Sequence, residues 1–476
     1  MKFAQTIKPF IKGSGIWLGL GSSTEAIFRF LRNMILTRLL APEALGTMSI
    51  VLSVNALLEV LTSVGIKTAI IQNPGGEENT YLNGAWWLSV GRVLGLYTIA
   101  YISAPFISTF YQNENLTSLT RVAFLAFIIN GLMSPKAYTA MKKMNFKRWV
   151  TIFNGGGIIG IIITLILVPI FENVWALVIG FIAEAFARTV LSHILCPYKP
   201  SFNFSHKHLK ELFKFARGMF GIPILYFIFM RTDIFVIGKL LSVKELGLYA
   251  MAANLARMPL QFLGSIINDL LMPALSKKQD EKLDFNQLIV QSIAAIAFLG
   301  FPLLIFILCY SAQILYFVYG KSYVAVAVPL KIIFASEFLR VLSIPIATAY
   351  LAIGEPQLHR FFNIIRAILM LVLIYPLVKI YGLTGAATAG LISVSIALIY
   401  QMRVIQRLTG FNLKINFRNI IEIACIAFVI IFFWESSNLF NYSWLIKLII
   451  GLFSCVLSYL ALLLYLPVIK KNVLIK

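Results

Sequence analysis

Residues 231–279 read RTDIFVIGKLLSVKELGLYAMAANLARMPLQFLGSIINDLLMPALSKKQ. Two apolar runs flank a short polar turn at 242–247, so this stretch predicts two membrane-spanning helices joined by a tight connection. An ionisable side chain within such a run costs about 2.5–3.5 kcal/mol on insertion scales. Four lie within or near these runs: Arg231, Asp233, Arg257 and Asp269. Because charges retained at that cost usually line a cavity or a pathway, the stretch indicates a transporter.

The composition predicts an all-α polytopic membrane protein. Hydrophobic residues make up 59% of the 476 residues and charged residues only 13%, whereas a soluble domain is roughly 25% charged. Apolar blocks of about 20–28 residues are long enough to cross a bilayer as helices, and they leave no length for a soluble catalytic domain, so we expect no enzyme. About fourteen spans are predicted: 14–36, 46–71, 84–110, 117–139, 150–169, 173–194, 215–240, 246–272, 287–310, 325–353, 359–381, 384–405, 418–435 and 443–466.

The distribution of charge predicts the orientation of the chain. The formal charge is +22, from 41 Lys and Arg against 19 Asp and Glu, which in a soluble protein would suggest a nucleic-acid partner. Here the basic residues concentrate in alternate loops, including 141–149, 195–214 and 273–286, whereas loops such as 111–116 carry few. Cytoplasmic loops of membrane proteins have this excess. We therefore expect both termini in the cytoplasm, and no nucleic-acid partner.

An internal repeat divides the chain into halves. The sequence LLAPEALG at 39–46 matches LLSVKELG at 240–247, each at the outer turn between the first two helices of its half. Six helices per half start on the same side, so the halves would be related by a pseudo-two-fold axis along the membrane normal. We expect a six-helix bundle over 1–200, a second over 201–410, and two additional helices over 411–476.

Scattered cysteines and histidines give no sign of a metal site or a cofactor. The four cysteines, Cys196, Cys309, Cys425 and Cys455, follow no ligand spacing, and the four histidines are equally dispersed. The sequence GGGIIG at 155–160 matches the letters of a dinucleotide-binding fingerprint but not its context, because it opens an isoleucine-rich run instead of following a strand. Close packing of helices through small residues is the better interpretation.

Charged residues within the spans divide into pairs and a cationic remainder. Three pairs have the spacing that allows neutralisation on one helix face: Glu25–Arg29, Glu184–Arg188 and Glu337–Arg340. The arginines that remain are Arg32, Arg92, Arg231, Arg257 and Arg366, against Glu59, Asp233 and Asp269. The acids Asp233, Glu59 and Glu337 are candidates for coupling to Na+ or H+.

The remaining arginines predict a cationic cavity. Arg92 and Arg257 lie nearest to mid-span, where a side chain reaches a headgroup least easily. For Arg32, Arg231 and Arg366, which lie closer to span ends, contact with headgroups is an open alternative to facing the cavity. An arginine-lined cavity suits phosphate, because the guanidinium binds its oxygens in pairs and stays charged when desolvated.

The quoted stretch, with RNMILTRLLAPEALG at 32–46, resembles the polysaccharide transporter family of the multidrug/oligosaccharidyl-lipid/polysaccharide flippase superfamily. Exporters of colanic-acid-type and teichuronic-acid-type polysaccharides are similar in these segments, and the resemblance extends over roughly 10–410. It implies flipping of undecaprenyl-diphosphate-linked oligosaccharide across the bacterial inner membrane by alternating access, for surface polysaccharide synthesis. It also implies membrane lipids as partners, with a polysaccharide polymerase and assembly machinery as further candidates.

Two alternatives differ in what they require of the sequence. A cation-coupled multidrug exporter of the same superfamily would favour surplus carboxylates in its cavity, the opposite of the balance found. A membrane glycosyltransferase or polymerase acting on the lipid-linked glycan would commonly carry its catalytic groups in a sizeable loop, and the loops here are short. The transported glycan and the energy source are not predicted.

Overall fold

The structure is a computed structural model. It describes residues 14–61, 65–205, 208–210, 212, 222–276, 282–410, 446–447 and 449–460. Every regular element in these ranges is helical, which agrees with the predicted all-α class. By contact the chain forms two compact units, Met1–Gly247 and Leu248–Lys476.

The first unit contains ten helices in the part of the chain that the structure describes, and a further helix begins at its end. They are α1 (Ser14–Leu39), α2 (Pro42–Leu61), α3 (Ile66–Gln72), α4 (Asn79–Tyr111), α5 (Asn115–Ala123), α6 (Leu125–Gly131), α7 (Lys136–Lys142), α8 (Phe146–Phe171), α9 (Val174–Leu195), α10 (Ile222–Leu240) and the start of α11 (Val243–Ser276). Among the described helices of this unit, α8 and α9 share the most extensive contact.

The second unit contains the rest of α11 and the helices that follow. They are α12 (Lys282–Val318), a 3-10 helix (Lys321–Val326), α13 (Ala327–Leu342), α14 (Ile344–Ala352), α15 (Pro356–Thr409) and α16 (Ile449–Leu460). The predicted span 418–435 lies outside the described residues. The predicted bundle boundary near residue 200 stays a prediction.

Six helices in the described ranges are long and apolar enough to cross a membrane, and a bent pair makes up to seven. The chain is therefore a multi-pass membrane protein. One of the six, α15, contains two predicted spans, 359–381 and 384–405. Between them Gly382 has a φ of 57° and a ψ of −133°, which is not helical. The break falls where the sequence predicts the boundary, and only glycine adopts this backbone conformation readily.

The predicted span 117–139 is broken. The segments Asn115–Gly131 and Lys136–Lys142 are bent by 61°, because Pro135 has no N–H to donate and disfavours helical geometry in the residue before it. The carbonyl of Leu132, released at the break, lies 2.9 Å from Nε2 of His193 on α9. The predicted span 325–353 is divided similarly, at Ser343 between α13 and α14.

The GGGIIG motif packs α8 against α9, as predicted. A Cβ at Gly156 would lie 2.3 Å from Cγ of Arg188, and one at Gly160 would lie 2.6 Å from Cβ of Glu184. A Cβ at Gly180 on α9 would lie 1.8 Å from Oγ1 of Thr164 on α8. These small residues let the two backbones approach. The motif lies inside a helix, so it is not a dinucleotide-binding loop.

Candidate functional site

In the second unit, α11 and α13 present charged residues to each other. Arg257 and Gly264 are seven residues apart on α11 and therefore share a face. Gly264 lies against the end of α13 and the start of α14, since a Cβ there would be 3.6 Å from Cγ2 of Val341 and 2.8 Å from Cδ1 of Ile344. This close approach carries Arg257 to α13, the helix that holds Glu337.

A glycine on α12 allows α12 to pack closely against α13. A Cβ at Gly300 would lie 2.2 Å from Cε2 of Phe338, so only a hydrogen fits where the helices meet. The ring of Phe338 is buried, and it also packs edge-on against Phe301 at 4.9 Å between centroids. The residues on either side of this ring, including Glu337, are thereby held by tight packing.

Glu337 bridges two arginines. Its Oε1 accepts a hydrogen bond from Nε of Arg257 at 3.2 Å, and its Oε2 accepts one from Nε of Arg340 at 2.6 Å. All three side chains are largely buried, with 6% of the Glu337 side chain, 15% of Arg257 and 14% of Arg340 exposed. A carboxylate between two guanidinium groups satisfies both of its oxygens with charge-assisted bonds.

Arg366 on α15 joins this group through the break between α13 and α14. Its Nη2 donates to the hydroxyl of Ser343 at 2.8 Å and lies 3.4 Å from Oε1 of Gln401. The Ser343 hydroxyl donates in turn to the carbonyl of Arg340 at 2.6 Å. The charges of Arg340 and Glu337 both act on Arg366. We call Arg257, Glu337, Arg340 and Arg366 the arginine cluster.

The arginine cluster has more positive than negative charge, with three arginines around one carboxylate. Arg366 and Glu337 are 8% and 5% exposed, so water screens these charges poorly. Three guanidinium groups present planar N–H donors suited to the paired oxygens of a phosphate or diphosphate. The arrangement can hold an anion in a desolvated environment.

In the first unit, Arg92 has an acidic neighbour. The charge of Glu59 on α2 acts on Arg92 on α4. Arg92 is half-buried and Glu59 is exposed. The structure therefore brings together two residues that the sequence analysis placed in different roles, one in substrate binding and one in ion coupling.

The other predicted residues of the first unit lie in separate places. Arg32 on α1 has Glu184 and Arg29 as charged neighbours, and Glu184 pairs with Arg188 at 2.6 Å. On α10, Arg231 is half-buried and Asp233 is 2% exposed. An oxygen of Asp233 accepts from the N–H of Ile234 at 2.9 Å.

The two copies of the internal repeat meet in the first unit. A Cβ at Gly46 would lie 2.0 Å from the carbonyl oxygen of Val243, and a Cβ at Gly247 would lie 1.9 Å from that of Pro42. Pro42 and Val243 are the first residues of α2 and α11 and occupy equivalent repeat positions. The contact is thus reciprocal, with each glycine against the start of the other copy's helix.

Within the residues that the structure describes, no group of three or more His, Cys, Asp or Glu is placed to hold a metal ion. The arginine cluster contains three guanidinium groups and one carboxylate.

Comparison with known proteins places this chain in a family. A family model described as "Polysaccharide biosynthesis protein" matches residues 35–328, which include the repeat contact and Arg257. The chain belongs to this family. The resemblance found in the segments 32–46 and 231–279 is confirmed at this level.

Relatives of this polysaccharide biosynthesis protein are similar over most of its length. A membrane protein of the cps region of Klebsiella pneumoniae is 25% identical over 79% of this chain and 78% of its own. The teichuronic acid biosynthesis protein TuaB of Bacillus subtilis is 23% identical over 64% of this chain and 63% of its own. The lipopolysaccharide biosynthesis protein WzxC of Escherichia coli is 22% identical over 77% and 73%.

Solved structures show the same fold as this polysaccharide biosynthesis protein. The lipid II flippase MurJ in an inward closed conformation aligns with a TM-score of 0.78, covering 95% of this chain and all of that one at 15% identity. An inward-facing multidrug resistance MATE transporter aligns with a TM-score of 0.62 over 81% of this chain and 96% of its own, also at 15% identity. Among the other relatives, one is named as a succinoglycan biosynthesis transport protein of Rhizobium meliloti and one as a probable low-salt glycan biosynthesis flippase of Haloferax volcanii.

Sequence reasoning identified part of this site. The three predicted same-helix pairs are confirmed as ion pairs, Glu337–Arg340 among them. Arg257, however, is not an unmatched charge, because Glu337 also binds it. Ser343 and Gln401 were missed. In the sequence, a glutamine within the predicted span 384–405 is the signal that could have drawn attention to Gln401.

Proposed function

We propose that this protein is a flippase that moves undecaprenyl-diphosphate-linked oligosaccharide across the bacterial inner membrane for surface polysaccharide synthesis. Its family, its relatives in teichuronic acid and lipopolysaccharide biosynthesis, and its MurJ-like fold support this function. It acts as a transporter and catalyses no covalent step. A multidrug exporter and a membrane glycosyltransferase or polymerase are less well supported by the same comparisons.

The observation that carries the proposal is the arginine cluster. Its three guanidinium groups outnumber the carboxylate of Glu337 and lie in a largely buried place on three helices. A cationic drug would be repelled there, whereas a diphosphate would gain several charge-assisted hydrogen bonds. The cluster would hold the diphosphate while the polyprenyl tail remains in lipid. Arg92, Arg32 and Arg231 are further contacts along the substrate path.

The architecture that we propose has about fourteen spans, in two six-helix bundles related by a pseudo-two-fold axis along the membrane normal, with two additional helices. The bundles are 1–200 and 201–410, the additional helices lie in 411–476, and both termini are cytoplasmic. The reciprocal contact of Gly46 with Gly247 supports such an axis, since equivalent atoms meet in equivalent ways. Closure and opening of this contact on the outer side would be one step of alternating access.

Coupling to Na+ or H+ stays part of the proposal. Asp233, Glu59 and Glu337 are the candidate acids. Asp233 is the most deeply buried of the three and Glu59 the most exposed. Polysaccharide polymerase and assembly proteins are the expected partners.

The test replaces arginines of the cluster. Arg257→Ala and Arg366→Ala should abolish surface polysaccharide and cause lipid-linked repeat units to accumulate on the cytoplasmic face, because the diphosphate loses its cationic partners. Abundance in the membrane should remain near normal, since removing a charge eases insertion. Accumulation of lipid-linked intermediates and protein abundance are measured together.

The matched control is Arg121→Ala. This arginine lies outside the cluster, where it packs over the ring of Tyr101 at 4.1 Å, so its removal should leave export intact. Wild-type export in a well-expressed Arg257→Ala, Arg366→Ala double variant would refute the proposed site. Intact polysaccharide together with changed sensitivity to cationic dyes would favour the drug exporter instead.

A further inference from the structure

Glu337 occupies the place where the arginine cluster would meet an anion. Each of its oxygens accepts from a different arginine, Oε1 from Arg257 at 3.2 Å and Oε2 from Arg340 at 2.6 Å. Phosphate oxygens bind arginines in the same way, with separate oxygens taking separate N–H groups. The carboxylate therefore fills, with a single negative charge, a position that suits a more highly charged ligand.

The two arginines are bound to Glu337 in different ways. Arg340 follows three residues later on α13, so that pair forms within one helix and survives any movement of α13. Arg257 belongs to α11 and is 80 positions away, so its bond to Glu337 links two helices. A ligand that takes over Arg257 must break this link, and it competes with Glu337 in doing so.

A carrier must release its substrate as well as bind it. A site that binds too strongly would hold the diphosphate after the lipid has crossed, as pore sites do when affinity is too high. Three buried guanidinium groups without a competing anion would bind a diphosphate strongly, because the low dielectric strengthens each attraction. A neighbouring carboxylate with access to the same N–H groups weakens that binding.

We propose that Glu337 competes with the bound diphosphate for the guanidinium group of Arg257. This proposal rests on the proposed binding of a lipid-linked diphosphate at the arginine cluster. With no substrate bound, Glu337 neutralises Arg257 and Arg340 and holds their guanidinium groups in position. The entering diphosphate, with more charge and more acceptor oxygens, displaces the carboxylate from Arg257. The return of Glu337 to Arg257 promotes release on the opposite side. Glu337 is thus a positioning residue.

The experiment compares binding with turnover in the full-length protein reconstituted in lipid. E337Q keeps the size of the side chain but removes the negative charge, so Arg257 becomes available to the ligand. We expect geranylgeranyl diphosphate to bind E337Q about tenfold more tightly than wild type, the effect of one modest charge pair. In proteoliposomes the same variant should show a lower KM and a lower kcat for flipping a fluorescent lipid-linked diphosphate sugar.

A second variant covers the case in which E337Q does not fold. E337D keeps the charge but is one methylene shorter, so it should bind the probe more tightly than wild type by a smaller factor. The control is Glu77→Gln, which removes a carboxylate from the Glu77–Lys143 pair of 2.7 Å outside the cluster. It should leave both constants unchanged.

The outcomes separate the two proposals. If wild type binds the probe no better than Arg257→Ala, the proposed site itself fails. If Arg257→Ala abolishes binding while E337Q and E337D bind equally or more weakly than wild type, the site stands and the competitor role is overturned. A purely structural role for Glu337 predicts weaker binding together with a loss of thermal stability, which also contradicts the competitor role.

Discussion

At the scale of single residues, the arginine cluster combines high charge with low exposure. Breaking a buried pair by removing one partner typically costs about 3–5 kcal/mol, because the other charge is left uncompensated. Here Glu337 has two partners, so the loss of either arginine leaves it paired with the other. The cluster can therefore tolerate the departure of one arginine toward a ligand better than a simple pair could.

Replacing Arg257 with lysine tests whether the guanidinium fork matters. Arg257→Lys keeps the positive charge but presents an ammonium that binds as a point charge, so it loses paired recognition of phosphate oxygens. We expect flipping to fall on the order of tenfold, with Arg257→Ala losing it altogether. Initial flipping rates in proteoliposomes provide the measurement. Equal activity of the lysine and alanine variants would show that charge at this position is not what the transporter uses.

Residue-level prediction from the sequence succeeded where partners are close along the chain. The pair Glu337–Arg340 follows from helix geometry alone, because residues three apart share a face. The bond of Arg257 to Glu337 could not be predicted in this way, since it depends on how α11 packs against α13. Gly264 lies where α11 meets α13 and Gly300 lies where α12 meets α13, and these close contacts become visible only in the structure.

At the scale of helices, the start of α11 is fixed by a capping box. Glu245 accepts from the N–H of Ser242 at 3.0 Å, and the Ser242 hydroxyl accepts from the N–H of Glu245 at 3.2 Å. Gly46 and Gly247 then bring this helix start against that of α2 with no room for a side chain. The capping box and the close glycine contacts therefore constrain the first turns of α2 and α11, the two helices that the repeat relates.

Alanine at either glycine should impair closure of this contact. In Gly46→Ala the new Cβ would meet the carbonyl of Val243, and in Gly247→Ala that of Pro42. Overpacking of this kind costs about 1–3 kcal/mol, so we expect each variant to flip substrate about tenfold more slowly or worse. Flipping rate, abundance and melting temperature are measured for each.

The control for this pair is Gly157→Ala on α8, where a Cβ meets nothing within 4 Å. It should match wild type or gain slightly in stability, because alanine favours helix more than glycine does. Wild-type flipping rates in both Gly46→Ala and Gly247→Ala would show that the contact need not close during transport.

Hydropathy predicted which segments are helical better than it predicted where those helices are interrupted. The boundary between the spans 359–381 and 384–405 coincides with the break at Gly382. The breaks at 132–135 and Ser343 were not predicted, because the spans were read from hydropathy, which does not register Pro135 and Pro345, at or just after the breaks, as interruptions. Hydropathy reports burial in lipid or protein, but it does not report backbone bends that neighbouring side chains stabilise.

At the scale of the whole molecule, the fold and the family come from comparison, whereas the orientation is predicted from the distribution of charge along the chain. The fold is shared with MurJ over 95% of the chain, although identity of 15% leaves the residues of the site to be argued from this sequence. The orientation in the membrane rests on loop charge alone. It decides which side of the arginine cluster faces the donor leaflet, and it is therefore the global prediction most worth testing.

Four single cysteines in a version lacking the native cysteines test this orientation. Glu114 and Lys321 lie in exposed connections predicted outside, and Met144 and Glu355 lie in exposed connections predicted inside. An impermeant maleimide should label the first two in intact spheroplasts and the last two only after lysis, because basic loops remain on the cytoplasmic side. Each connection is short, so a label reports one side of the membrane. Labelling of Met144→Cys from outside would contradict the predicted orientation of the first unit.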